Sequence, residues 1–103
     1  MNLTWMAGAV LFAASASAQA QNKEALYVKG LAATCAGCHG TNGVAVAGSS
    51  VPALAGMPKE YMVMQMKAFK AGTRPAKIMH QLSKGYSDAQ IEQIGVYFAA
   101  QTK

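Results

Sequence analysis

Residues 35–39 read Cys-Ala-Gly-Cys-His, and they hold both cysteines of the 103-residue chain. No other stretch limits the fold so tightly. Two thiols three positions apart, with an imidazole directly after the second, suit a disulfide, a zinc ion, a thiol redox pair or a covalently attached haem. A disulfide between positions i and i+3 closes a tiny loop and restrains the unfolded chain little. A closed zinc site needs four N or S ligands. The chain offers only Cys35, Cys38, His39 and His80, and His39 cannot readily turn to the ion that its neighbour Cys38 would hold. The two histidines are also far from finger spacing. A thioredoxin-like pair sits at the start of a helix that follows a strand, inside a βαβ pattern, and no such pattern surrounds residues 35–39.

Haem accounts for the pattern. C-x-x-C-H is the attachment signature of c-type haem. On one turn of helix, residues three apart lie on the same side of the chain. Both sulfurs can then bond the vinyl-derived carbons of neighbouring pyrroles, and the adjacent imidazole is carried beneath the ring to meet the iron as proximal ligand.

The N-terminal stretch MNLTWMAGAVLFAASASAQA contains no Asp, Glu, Lys or Arg. Its apolar run, Trp5 to Ala14, is too short to span a bilayer, and small residues follow it to Ala18-Gln19-Ala20. That order reads as a secretory signal with an A-x-A cleavage site, although no Lys or Arg precedes the apolar run. The expectation is a signal peptide over 1–20 and one mature domain over 21–103, exported to the periplasm with no membrane span after cleavage. All nine Lys/Arg and all four Asp/Glu lie in the mature part, so its formal charge is +5. This charge suits an anionic partner surface. It lacks the clustered arginines and aromatics of a nucleic-acid site. Phosphate loops, nucleophilic triads and paired carboxylates are missing too, so no catalytic residue is assigned.

No stretch of the mature part alternates with the period of a strand. Residues 22–34 read as a first helix capped by Asn22, with Leu26, Gly30 and Leu31 near one face. Residues 40–57 form a loop rich in Gly and Ser that is nonetheless apolar, with Val44, Val46, Val51, Leu54 and Met57. Pro58 opens a strong helix that Gly72 stops. Its apolar surface is expected from Tyr61, Met64, Met66, Ala68 and Phe69, with Lys59, Lys67 and Lys70 toward water. A short helix within 73–86 ends near Lys84-Gly85. A last helix follows Ser87, whose spacing to Gln90 is that of a capping box, and Ile91, Ile94, Tyr97 and Phe98 recur at helical spacing. The fold class is all-α: three to four short helices and long loops wrapped around one covalent haem, which supplies a core that a chain this short cannot build from side chains alone.

The sixth iron ligand must approach from the face opposite His39. Met79 and His80 both qualify by position, and the mid-helix methionines read as core. The segments CAGCHG, VPALAG, AFKAGTRP, IMHQLSKGYSD and IGVYFAAQ together resemble a class I c-type cytochrome. They are most similar to the monohaem cytochrome subunit of flavocytochrome c sulfide dehydrogenase, over essentially the whole of 21–103. That resemblance implies haem c bound at Cys35 and Cys38, with His39 proximal and Met79 distal. It also implies a hydrogen bond from the His39 ring to the carbonyl of Pro52, and a first helix crossing the last where Gly30 approaches Gly95 and Tyr97. Many relatives have a polar residue where this chain has Met57.

Six-coordinate iron has no open position for substrate, so the function implied is outer-sphere electron transfer. One reading is a subunit that accepts electrons from an FAD-containing sulfide dehydrogenase chain. A second is a free shuttle between periplasmic redox complexes, and a third is a haem enzyme or gas sensor whose distal ligand dissociates. Lys59, Lys67, Lys70, Lys77 and Lys84 are candidates for partner docking. Tyr61, Tyr86, Tyr97 and Arg74 are candidates for contact with haem propionates.

Overall fold

The computed structural model describes Gln19 and residues 22–103. Residues 1–18, 20 and 21, which hold most of the expected signal peptide and its junction, lie outside the described residues. The first described helix, α1, covers 22–33, with Asn22 already inside it rather than capping it. There follow α2 (Ala36–His39), a 3-10 turn (Thr41–Gly43), α3 (Lys59–Ala71), α4 (Met79–Ser83) and α5 (Asp88–Ala99). Among the described residues there is no strand.

Local chemistry sets the helix ends. Gly72 takes the left-handed conformation (φ 78°) and returns its N–H to the carbonyls of Ala68 and Phe69, which stops α3. Ser87 caps α5: its Oγ accepts from the Gln90 N–H at 3.1 Å, and Gln90 Oε1 accepts from the Ser87 N–H at 2.9 Å. Pro58 stands one position earlier than expected, just before the first residue of α3.

The core is thin. Ile91, Ile94 and Phe98 of α5 are essentially inaccessible, and Met62, Val63 and Met66 of α3 pack with them and with Ala32 of α1. The buried stripe of α3 therefore differs from the expected one, because Tyr61 and Met64 remain 46% and 58% exposed. Every candidate on that helix is apolar, so hydropathy alone cannot tell which face meets α5. The crossing glycine also differs. A methyl group added at Gly95 would lie 3.0 Å from Val63 Cγ2, so Gly95 is where α5 meets α3, whereas nothing lies within 4 Å of the corresponding point on Gly30. α1 instead touches α5 near its start, through Gln90 Nε2 donating to Tyr27 Oη at 2.9 Å.

Lys59, Lys67 and Lys70 do not simply point into water. Glu92 pairs with Lys59 at 3.2 Å and with Lys67 at 3.6 Å, and Asp88 pairs with Lys70 at 3.2 Å. These contacts lace α3 to α5 along the surface, each contributing about 0–1 kcal/mol.

Gly43 is buried at φ 76°, and a Cβ there would lie 2.8–2.9 Å from Ala55 N, Leu54 Cβ and Phe98 Cδ1. Gly48 has a similar φ, 79°, with nothing within 4 Å. Gly43→Ala should therefore cost about 3 kcal/mol, combining left-handed strain with overpacking, and Gly48→Ala about 1 kcal/mol from strain alone. Urea unfolding of the two variants checks the difference, and equal midpoints would refute it.

The cysteine-histidine motif as a candidate cofactor site

α1 ends in a tight turn. The N–H of Cys35 bonds the carbonyl of Ala32 at 3.1 Å, and the Cys35 carbonyl then accepts from Cys38 at 3.4 Å and His39 at 3.0 Å. This single helical turn places both sulfurs on one side of the chain. The two cysteines form no disulfide; Cys35 is half-buried against the core and Cys38 is exposed. Burial pushes the Cys35 thiol above its ordinary range, and its side-chain contact with Thr34 works in the opposite direction.

The chain reverses immediately after His39. Gly40 (φ 88°) comes so close to the Val44 carbonyl that a Cβ there would lie 1.9 Å from the oxygen, so only glycine fits. Asn42 follows in the left-handed region, at φ 55°. The Gly43 carbonyl then accepts from the N–H groups of Leu54 (2.8 Å) and Ala55 (3.1 Å). Those bonds fold residues 52–55 back beside the motif, where Pro52 O lies 2.6 Å from His39 Nδ1. A carbonyl can only accept, so Nδ1 carries the proton and Nε2 keeps its lone pair. A metal-ligating histidine is held in this way, with one nitrogen engaged and the other aimed outward.

Met79 is the first residue of α4, and it is half-buried against the same apolar cluster as Cys35 and Met57. His80 follows it, with a buried Nδ1 that has no hydrogen-bond partner. A cavity of about 540 Å³, bordered by Val44, Ala53, Met57, Pro58, Tyr61 and Lys103, opens beside the 52–58 loop. Its lining includes none of Cys35, Cys38, His39 or Met79.

These residues fit a haem. Among the described residues, no group of three or more His, Cys, Asp or Glu is placed to hold a metal ion, so a metal at His39 has to bring its other ligands with it, as a porphyrin does. Val44, Val46, Ile78 and Leu82 are exposed on the segments that follow the motif and flank Met79. A flat apolar cofactor gives such side chains something other than water to lie against.

Several hydroxyls and charges expected at a cofactor are engaged elsewhere. Tyr97 donates to Asn42 Oδ1 at 2.6 Å. Thr34 Oγ1 donates its one proton to the Leu31 carbonyl at 2.7 Å, so in its contact with Tyr86 the tyrosine is the donor. The Arg74 guanidinium stacks 4.6 Å above the Phe69 ring and bonds Gln65 Oε1. Sequence reasoning missed Asn42 and Thr34 as partners of the motif, although the Asn42-Gly43 pair is a recognised turn signal.

The sequence model of one family, cytochrome c, matches residues 24–99. The chain belongs to the cytochrome c family. It is similar to the thiosulfate dehydrogenase electron acceptor of Thiomonas intermedia, 34% identical over 92 residues, covering 89% of this chain and 39% of that one. It is also similar to the cytochrome subunit of sulfide dehydrogenase of Chlorobaculum tepidum, 37% identical over 73 residues, covering 71% and 64%. Cytochrome c4 of Pseudomonas aeruginosa is 39% identical over 70 residues, covering 68% and 34%. This cytochrome therefore spans less than two thirds of the length of each of these relatives. Covalent haem c is its cofactor and electron transfer through that haem its function. No described helix is long and apolar enough to cross a membrane.

Proposed function

We propose that Cys35 and Cys38 hold the haem through thioether bonds, with His39 as proximal ligand and Met79 as distal ligand. The bond from His39 Nδ1 to Pro52 O carries this reading, because in the neutral ring it directs the free lone pair to Nε2, one residue from Cys38. Bound haem c supplies one-electron iron chemistry. His39 supplies an imidazole whose orientation and basicity the Pro52 carbonyl sets. Met79 supplies a neutral thioether, which favours ferrous iron and raises the potential. Cys35 is half-buried against the core, and Cys38 lies open to the incoming ring.

The partner we propose is a flavin-bearing chain that oxidises sulfide, met in the periplasm after removal of residues 1–20. Likeness to a sulfide dehydrogenase cytochrome subunit supports it, as does the formal charge of +5, which attracts an acidic surface. A free shuttle between redox complexes is the second reading. Likeness to an electron acceptor of thiosulfate dehydrogenase and to cytochrome c4 favours it.

Three measurements test these assignments. The exported protein should begin at Gln21, keep its pigment in acidified acetone and titrate no free thiol after denaturation; two titratable thiols per chain would exclude thioether attachment. Met79→Ala should abolish the sulfur-to-iron charge-transfer band of the oxidised protein and allow carbon monoxide to bind the reduced form. Survival of that band would transfer the distal role to another residue, and carbon monoxide binding by the wild type would favour a sensor. Gentle isolation from the native host should recover a flavin-containing chain in fixed ratio, whereas a lone monomer would support the shuttle.

A further inference from the structure

We propose that Tyr97 is a positioning residue for His39, acting from the last helix through Asn42 and the 52–56 loop on the hydrogen bond that His39 gives to Pro52. The inference rests on the reading of His39 as an iron ligand. Pro52 sits in a segment without regular structure, so its carbonyl needs external supports to stay 2.6 Å from the imidazole. Two supports exist, and both lead to one turn of α5. The Gly56 N–H donates to the Phe98 carbonyl at 2.8 Å. Leu54 and Ala55 donate to the Gly43 carbonyl, and Gly43 directly follows Asn42, which Tyr97 Oη holds by its Oδ1 at 2.6 Å.

The tyrosine is itself well fixed. Its ring meets the edge of Phe98 at 5.3 Å between centroids and 89° between planes, and Phe98 is buried at 1% exposure. Asn42, by contrast, occupies the sparsely populated left-handed region at φ 55°, and beside Tyr97 its turn is closed by the bonds from Gly43 N–H to Gly40 O and from Val44 N–H to Thr41 O. Removing the Tyr97 hydroxyl frees the Asn42 side chain, loosens the turn and lets the Gly43 carbonyl drift. The support that Pro52 draws through Gly43 weakens while the Gly56 support stays, and Pro52 accepts less strongly from Nδ1. A weaker acceptor makes the imidazole a poorer donor to iron. The ferric state loses more from this than the ferrous state, so the potential rises.

Tyr86 provides an internal control. Its hydroxyl also bonds the motif region, but at Thr34, before Cys35, and not through the loop that carries Pro52. Tyr97→Phe should shift the reduction equilibrium about threefold toward the reduced protein, about 28 mV at 59 mV per tenfold for one electron. Asn42→Gly should shift it equally, since glycine accepts the same backbone angles but lacks the acceptor; it also keeps the test open if Tyr97→Phe fails to fold. Tyr86→Phe should lower the urea midpoint without that shift. Wild-type potentials in both Tyr97→Phe and Asn42→Gly, or an equal shift in Tyr86→Phe, would overturn the inference while leaving His39 ligation intact. A wild-type spectrum without histidine-ligated covalent haem would instead overturn the reading of the motif, and this inference with it.

Discussion

The hydrogen bond between His39 Nδ1 and the Pro52 carbonyl is the contact around which this small domain is arranged. It selects one tautomer of one ring, and the selection leaves a lone pair on the nitrogen farther from the backbone. The backbone features between residues 40 and 55 all serve to make that contact possible. Gly40 permits a reversal that any side chain would block, and Gly43 accepts two N–H groups where the chain returns. The apolar character of the loop then follows from its place: it runs beside the motif, where a flat hydrophobic cofactor offers cover and water does not.

The helical part has a different task. α3 and α5 cross at Gly95 and bury Met62, Val63, Met66, Ile91, Ile94 and Phe98. That is a small core, and short domains of this kind usually need a metal, a disulfide or a cofactor to hold them. With both cysteines free of any disulfide, a covalently held haem is the staple the composition allows. Its proposed attachment points lie just after α1 and in α2, and α2 places no residue in the buried cluster, while α1 places Ala32 there.

What could be read from sequence follows a physical divide. The cysteine spacing, the Ser87–Gln90 capping box and the stop at Gly72 were legible because each is decided within four residues of chain. Met79 was singled out from its neighbour His80 only by resemblance to a known family, since both qualified by position. The burial of α3 was not legible, because Tyr61, Met62, Val63, Met64 and Met66 are all apolar and only the position of α5 decides among them. Gly30 and Gly95 were expected to meet, yet Gly95 receives α3, a choice that depends on how three helices share one space. The Pro52 carbonyl carries no side-chain signal at all; only resemblance to a known family pointed to it. Hydroxyl partners such as Tyr97 with Asn42 and Tyr86 with Thr34 join residues more than fifty positions apart, a distance at which composition and periodicity carry no information.

Charge shows the same divide between a total and its arrangement. The formal charge of +5 follows from counting and sets the long-range field that an acidic partner feels. How that charge is displayed depends on packing. Glu92 and Asp88 occupy Lys59, Lys67 and Lys70 along the α3–α5 seam, and each of those lysines is restrained by a partner in its own chain. Lys77 and Lys84 stand on either side of α4, the helix that begins with Met79, and form no ion pair among the described residues. Pairing within the chain does not cancel the net field, but it does remove side-chain freedom, and a lysine already held by a carboxylate must exchange that partner before it can meet another. Of the five lysines considered for docking, Lys77 and Lys84 are therefore the two not held by a carboxylate among the described residues.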